Sequence, residues 1–437
     1  MAVHKRRVKA VTRQGLGSTT TPANDDTGKR IPALPADVVF QICKYLITAT
    51  RTLKSISRTC RVWSYAVRSY IFRRITITDM GSFQRLGKLV EEQPFVLSWI
   101  FEICISGRKE SFGIPPWFRH LPEVLPSASL PKLCSISFVD LHEAFDRTEV
   151  KWDYPMLKET LPLYKEYTSV LRVDFLDCEL PYDVLQHVIG AFSNVVEVHF
   201  HRSKCSPPNG LASLQSLPLP RQLQSFMFHG TTQTGALALH VQNYQNPPSK
   251  FTQAMSTLKT LHYHLGADAW LTDGLGKILY HGTPHRLEHL VLACPEIDVD
   301  TWDDNSGSFN ILRRSSINNL TNLRTLHFEG SDAASSRPSV IKDLLRMISS
   351  PHLRTFALSM SFRTMTDIPN KSYLGVDALL SNVTTFPALT EVRLVYHGNA
   401  KEARYTKKLR GLFPKTCERG IVKIVKELHP DELCLVR

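Results

Sequence analysis

Signatures of secretion, membrane insertion and known enzyme chemistry are missing from this chain of 437 residues. Its nine cysteines are odd in number: Cys43, Cys60, Cys104, Cys134, Cys178, Cys205, Cys294, Cys417 and Cys434. No two form a C-x-x-C pair, and most sit in apolar runs. This usage predicts reduced, buried thiols in an intracellular protein. The basic start leads into Gly, Ser, Thr, Asn and Asp, not into the apolar stretch of a secretory signal. The longest apolar run, PFVLSWIFEICISG, is interrupted by Glu102 and is too short to span a bilayer.

Enzyme motifs are equally scarce. No G-x-S-x-G and no H-E-x-x-H occurs. The GLGK at 274–277 lacks the upstream glycine of a P-loop, and Ile278 stands where Ser or Thr belongs. His281, His285 and His289 are four apart, but Gly282 and Pro284 break the helix that would bring them to one face. Basic residues do not interleave regularly with aromatics, so a nucleic-acid surface is not indicated. The expectation is a chain with no catalytic residue, no cofactor, no metal, no membrane partner and no nucleic-acid partner.

What is present is a basic, amply apolar protein. Its hydrophobic fraction of 43% is enough for a real core, and its formal net charge is +13. Lys5, Arg6, Arg7, Lys9, Arg13, Lys29 and Arg30 stand against Asp25 and Asp26, which places +5 in the first thirty residues. The other +8 reads as spread over the rest of the chain. Residues 1–30 carry no periodic apolar residues and read as a disordered basic tail. Its HKRRVK run fits either a nuclear import signal or a solvated arm, and the compartment stays open between nucleus and cytoplasm.

Residues 31–78 read as a compact helical unit. Pro35 suits a first helical turn, and Asp37 favours the positive end of the dipole there. Val38, Val39, Ile42, Cys43 and Leu46 form a helical stripe. A second helix fits Leu53, Ile56 and Cys60. A third fits Trp63, Ala66, Val67, Tyr70 and Ile71. Phe72, Ile75 and Ile77 then alternate as in a strand.

From about residue 95 to 437 one pattern returns: apolar, two residues, apolar, one residue, apolar. Ten copies run from Ile100/Ile103/Ile105 to Leu389/Val392/Leu394, at steps of 25 to 37 residues, with a weaker eleventh at Ile421/Ile424. Helix-like stretches such as SVIKDLLRMISS and SYLGVDALLSNV lie between them. This is the L-x-x-L-x-L core of a leucine-rich repeat, in which each strand stacks beside the next. The irregular steps predict a degenerate α/β solenoid with insertions. Two strands, HFH at 199–201 and HYH at 262–264, put paired histidines on the face opposite the core, where they fit either a ligand-binding surface or, as favoured here, solvated positions. The late basic clusters KEARYTKKLR and FPKTCERGIVKIVK fit either a basic end to the array or, as favoured here, a solvated helix.

The helical unit resembles an F-box. Leu34, Pro35 and Asp37 match the opening of that pattern, Val38, Val39, Ile42 and Leu46 its apolar helix, Cys60 and Trp63 its Cys-x-x-Trp, and Phe72 its closing phenylalanine. The chain as a whole resembles fungal F-box proteins with a degenerate repeat region, whose closing segment is similar to GLFPKTCERGIVKI. The fold implied is a three-helix F-box followed by an irregular repeat solenoid. The role implied is the substrate-recognition subunit of an SCF-type (Skp–cullin–F-box) ubiquitin ligase, itself non-catalytic, or else a scaffold outside the ligase. The partners implied are a Skp-type adaptor, through it a cullin, and an unidentified target protein. The adaptor-binding residues implied are Leu34, Pro35, Val38, Val39, Ile42, Leu46, Ile56, Cys60, Val62 and Trp63. Buried core is the alternative reading for Ile42, Leu46 and Trp63, since core and interface share a composition. One position departs from the family pattern: Arg58 stands where an apolar residue is usual.

Overall fold

The computed structural model describes residues 34–46, 49–107, 115–141, 159–206, 222–229, 257–264, 279, 284–294, 316–330, 338–361, 373–397 and 402–426. The basic tail, the GLGK stretch and His281 lie outside them. The first described elements are three short helices, α1 (Ala36–Tyr45), α2 (Thr50–Ile56) and α3 (Arg61–Ile71). They share a small core of Val39, Cys43, Leu53, Ala66 and Val67, against which Phe40, Leu46, Ile56, Trp63, Tyr70 and Ile71 pack. The Tyr70 hydroxyl donates to the carbonyl of Phe40 at 3.2 Å and ties α3 to α1. A core of this size is marginal alone. Aromatic rings extend it: Tyr65 meets Trp99 edge-on at 5.5 Å, and Phe72 stacks on the same ring at 6.3 Å.

The rest is α/β, dominated by a parallel sheet of twelve strands. In chain order the strands are β1 (Arg74–Ile77), β2 (Glu102–Ser106), β3 (Ser135–Val139), β4 (Arg172–Leu176), β5 (Glu179–Pro181), β6 (Glu197–His201) and β7 (Lys204–Ser206). They continue as β8 (Ser225–His229), β9 (Thr260–His264), β10 (His289–Cys294), β11 (Thr325–Gly330), β12 (Thr355–Ser361), β13 (Glu391–His397) and β14 (Val422–Lys426). The sheet order is β1-β2-β3-β4-β6-β8-β9-β10-β11-β12-β13-β14, while β5 and β7 form a separate parallel pair. Apart from β5 and β7, each described strand lies beside the sheet strands that precede and follow it in sequence, so the order does not reverse among them.

The register explains the repeated triplet. Ile103, Ile136, Val173, Val198 and Phe226 fall in one row across β2, β3, β4, β6 and β8. Ile105, Phe138, Phe175 and Phe200 fall in the next apolar row. Phe138, Phe175 and Phe200 stack ring on ring at 5.4 and 5.1 Å. The first residue of each triplet, such as Leu133, Val170 or Leu323, is buried just before its strand. The residue after it already joins the ladder: Cys134 N–H donates to Phe101, Leu171 N–H to Cys134 and Val196 N–H to Leu171.

Two expectations need correction. The sheet has twelve strands where the sequence reading counted ten copies and a weaker eleventh. The additional one is Phe72/Ile75/Ile77: β1 pairs with β2, Ile75 beside Ile103 and Ile77 beside Ile105. The strand assigned to the helical unit therefore opens the sheet. Nor are the thiols uniformly buried. Cys43, Cys104 and Cys178 are buried, but Cys60 and Cys134 are exposed. Both lie just outside an element, Cys60 before α3 and Cys134 before β3.

Helices and short 3-10 turns return the chain between parallel strands. They include α4 (Met80–Glu92), α5 (Leu121–Val124), α6 (Tyr182–Gly190), α7 (Pro338–Met347), α8 (Leu374–Ser381), α9 (Glu402–Leu412) and α10 (Pro414–Glu418). The start of α4 is fixed by a reciprocal cap in which Ser82 N–H donates to the Asp79 carboxylate at 2.6 Å and Asp79 N–H donates to Ser82 Oγ at 3.0 Å. Among the described residues, no helix is long and apolar enough to cross a membrane.

Candidate functional site

Two surfaces carry chemistry that the fold does not use up. The first is the outer face of α1 to α3. Leu34 and Val62 are 51% and 44% exposed, Val38 is exposed as well, and Pro35 lies beside them in solvent. Val38, Ile42 and Tyr45 follow at i, i+4 and i+7, which lines them up along one side of α1. Ile42, Leu46, Ile56 and Trp63 are half-buried. Cys60 is exposed at the N-terminus of α3 and makes no side-chain cap. Val39 is a correction: it is fully buried in the core of the helical unit and has no surface to offer a partner. Sequence reasoning missed Tyr45 and Tyr65, both more than half exposed. Their signal was slight, since an aromatic residue at the edge of a stripe reads as core. Arg58 is exposed, so its charge stays in water.

The second surface is the polar face of the sheet. Its centre is Asp174 on β4, buried although it points away from the apolar rows. Ser135 Oγ donates to Asp174 Oδ2 at 3.0 Å, and Arg172 Nε lies 3.0 Å from the same oxygen. His199 Nδ1, in register on β6, lies 3.1 Å from Asp174 Oδ1. Ser137 Oγ sits 2.8 Å from Glu102 Oε1 and 3.3 Å from Asp174 Oδ2, and Arg74 Nε lies 3.4 Å from Glu102. A polar ladder thus crosses β1, β2, β3, β4 and β6. Burial opposes a charge on Asp174, but the hydrogen bond with His199, the Arg172 cation and Ser135 outweigh it and hold the carboxyl below its usual range.

A smaller cluster lies further along the same face. His262 Nε2 is 3.2 Å from Glu329 Oε2, and His327 is 2.7 Å from Ser359 Oγ. The histidines of HFH and HYH were expected in solvent. That is corrected: His262 is fully buried, and His199 is mostly buried against Asp174. They lie off the core side, as the alternation predicts, but carboxylates pack against them: Asp174 from the adjoining strand for His199, and Glu329 from two strands away for His262. Of the histidines spaced by four, His285 and His289 are exposed.

The late basic clusters gather at one end of the sheet. Lys407, Arg410, Lys415, Lys423 and Lys426 are exposed on α9, α10 and β14. The solvated-helix reading therefore covers only part of them, because β14 is the terminal strand of the sheet.

No protein-family model matches the chain, and no curated protein does. Among solved structures, apo D-lactate dehydrogenase from Escherichia coli is similar over 77% of this chain and 93% of that chain, at 10% identity and a TM-score of 0.18. Two expectations are corrected, since no family model or curated protein stands behind them: the role of SCF substrate receptor and the exclusion of catalysis. Neither rests on a match to any known protein, and both are withdrawn. A TM-score of 0.18 carries no argument for a dehydrogenase either. Open α/β sheets bind dinucleotides where the strand order reverses, and the described strands of this sheet run in sequence order.

Proposed function

We propose that α1 to α3 form an F-box-like docking unit for a helical partner of the Skp adaptor type, joined to a leucine-rich-repeat-like array built on the parallel sheet. The observation that carries the docking reading is the split use of apolar residues. Val39, Cys43, Leu53, Ala66 and Val67 close the core, while Leu34, Val38, Val62, Tyr45 and Tyr65 remain on the surface. So many exposed large apolar side chains on a unit this small mark an interaction surface. The sequential strand order and the rows of triplet residues support the repeat-like reading. The proposal concerns docking alone; selection of targets for ubiquitin transfer, withdrawn above, is no part of it.

The test is a pull-down of the full chain with a purified Skp-type adaptor, beside the double variant Leu34→Ala/Val38→Ala. Both side chains are exposed, so the double variant is expected to melt like the wild type and to lose at least about 2 kcal/mol of binding, roughly thirtyfold in Kd. A wild-type chain that fails to bind the adaptor would refute the reading. So would a double variant that binds equally well.

A further inference from the structure

The densest group of potential metal ligands among the described residues lies on the polar face of the sheet, away from the docking unit. One ligand atom each from Asp174, His199 and His201 lies within 4.8 Å of the others. His199 and His201 alternate on β6 and share one face, and Asp174 stands in register with His199 on β4. We propose that Asp174, His199 and His201 bind a divalent transition metal of the zinc class.

Three observations carry this. First, the separation fits. Two ligands bound at about 2.0 Å in tetrahedral geometry stand about 3.3 Å apart, and Asp174 Oδ1 and His199 Nδ1 are 3.1 Å apart. Second, the donors fit. Two imidazoles and one carboxylate suit zinc, iron, cobalt or nickel better than magnesium or calcium, which prefer oxygen alone. Third, the outer groups are in place. Ser135 and Arg172 occupy Asp174 Oδ2 and leave Oδ1 facing the histidines. His199 Nε2 is buried without a hydrogen-bond partner, and the nearest carboxylate, Glu197 Oε2, is 3.7 Å away. With the metal on Nδ1, Nε2 would carry the proton, and Glu197 is close enough for a small side-chain shift to let its carboxylate accept it and orient the ligating histidine. Arg172 is the opposing charge; Asp174 and Glu197 balance the ion, and the Arg172 cation is left over, 3.0 Å from the Asp174 oxygen that faces away from the histidines.

The experiment uses the full chain, stripped with chelator. Cobalt(II) is titrated in by visible absorption, and zinc(II) by competition with a chromophoric chelator. One ion per wild-type chain is expected, with the absorption of a low-coordinate cobalt site. His201→Ala should weaken binding more than about tenfold, and Asp174→Asn should do the same. His289→Ala, which changes an exposed histidine elsewhere on the sheet, should bind like the wild type. Each variant is first checked by thermal melting; His201→Gln replaces His201→Ala if the latter does not fold. No stoichiometric uptake by the wild type overturns the site, as does uptake that these variants leave unchanged.

Discussion

Asp174 shows what one buried carboxylate does in this sheet. Its native pKa lies below that of the unfolded chain. The stability it contributes is therefore complete above the unfolded value of about 3.9 and is lost as pH falls through the native value. Replacing it with Asn removes that dependence and leaves Arg172 facing a neutral group. Asp174→Asn should cost about 1–3 kcal/mol at neutral pH. It should also narrow the stability difference between about pH 6 and about pH 3. Urea midpoints at both values check this, and an equal loss in both proteins would show that the carboxylate is not linked to folding. Little of this was legible beforehand. The alternation in RVDFL places Asp174 opposite the core, but its partners at 135, 137 and 199 follow from register across three strands. Steps of unequal length hide that register. Cys178 is the contrasting case on the core side, where burial pushes its thiol up to about 12 and leaves it inert.

Among the elements, α8 and α10 are clamped by one buried side chain, with Arg419 Nη1 donating to the Leu380 carbonyl at 2.7 Å as a second tie. Asp377 on α8 is buried, and its carboxylate accepts from Lys415 N–H at 3.0 Å and from Thr416 N–H at 2.9 Å, at the start of α10. The Thr416 hydroxyl donates to it as well. The free N–H groups at this helix start, Thr416 N–H buried among them, are satisfied from another helix. Asp377→Ala should cost about 2–3 kcal/mol, because buried N–H groups lose their acceptor; thermal melting reads the loss, and an unchanged midpoint would refute the clamp. Elements were the most legible scale. The three opening helices and most of the strands follow from apolar spacing alone, because burial of one stripe or one face dictates it. β1 was legible as a strand but not as a member of the array, because Phe72 reads equally as the end of a helix and as the first residue of a triplet. Val39 was misplaced for a related reason: adjacent apolar residues on α1 look alike in sequence, yet one faces the core and the other, Val38, faces water.

The whole molecule is a sheet with two ends. β1 lies beside the helical unit, and β14 carries exposed Lys423 and Lys426. Lysine on a terminal strand discourages pairing with another sheet. The double substitution Lys423→Val/Lys426→Val should make the apparent mass in sedimentation rise with concentration. If variant and wild type sediment alike at all concentrations, the lysines do not guard that edge. The order of strands has a last consequence, for synthesis. Among the described residues, every strand after the first of its sheet pairs with one made shortly before it, as Ile136 follows Ile103 by 33. None of these strands waits for a partner from the far end of the chain. On a ribosome the sheet can grow one strand at a time, each new segment meeting a finished template as it emerges. A stalled or shortened message would then leave a shorter sheet of the same build, not a tangle.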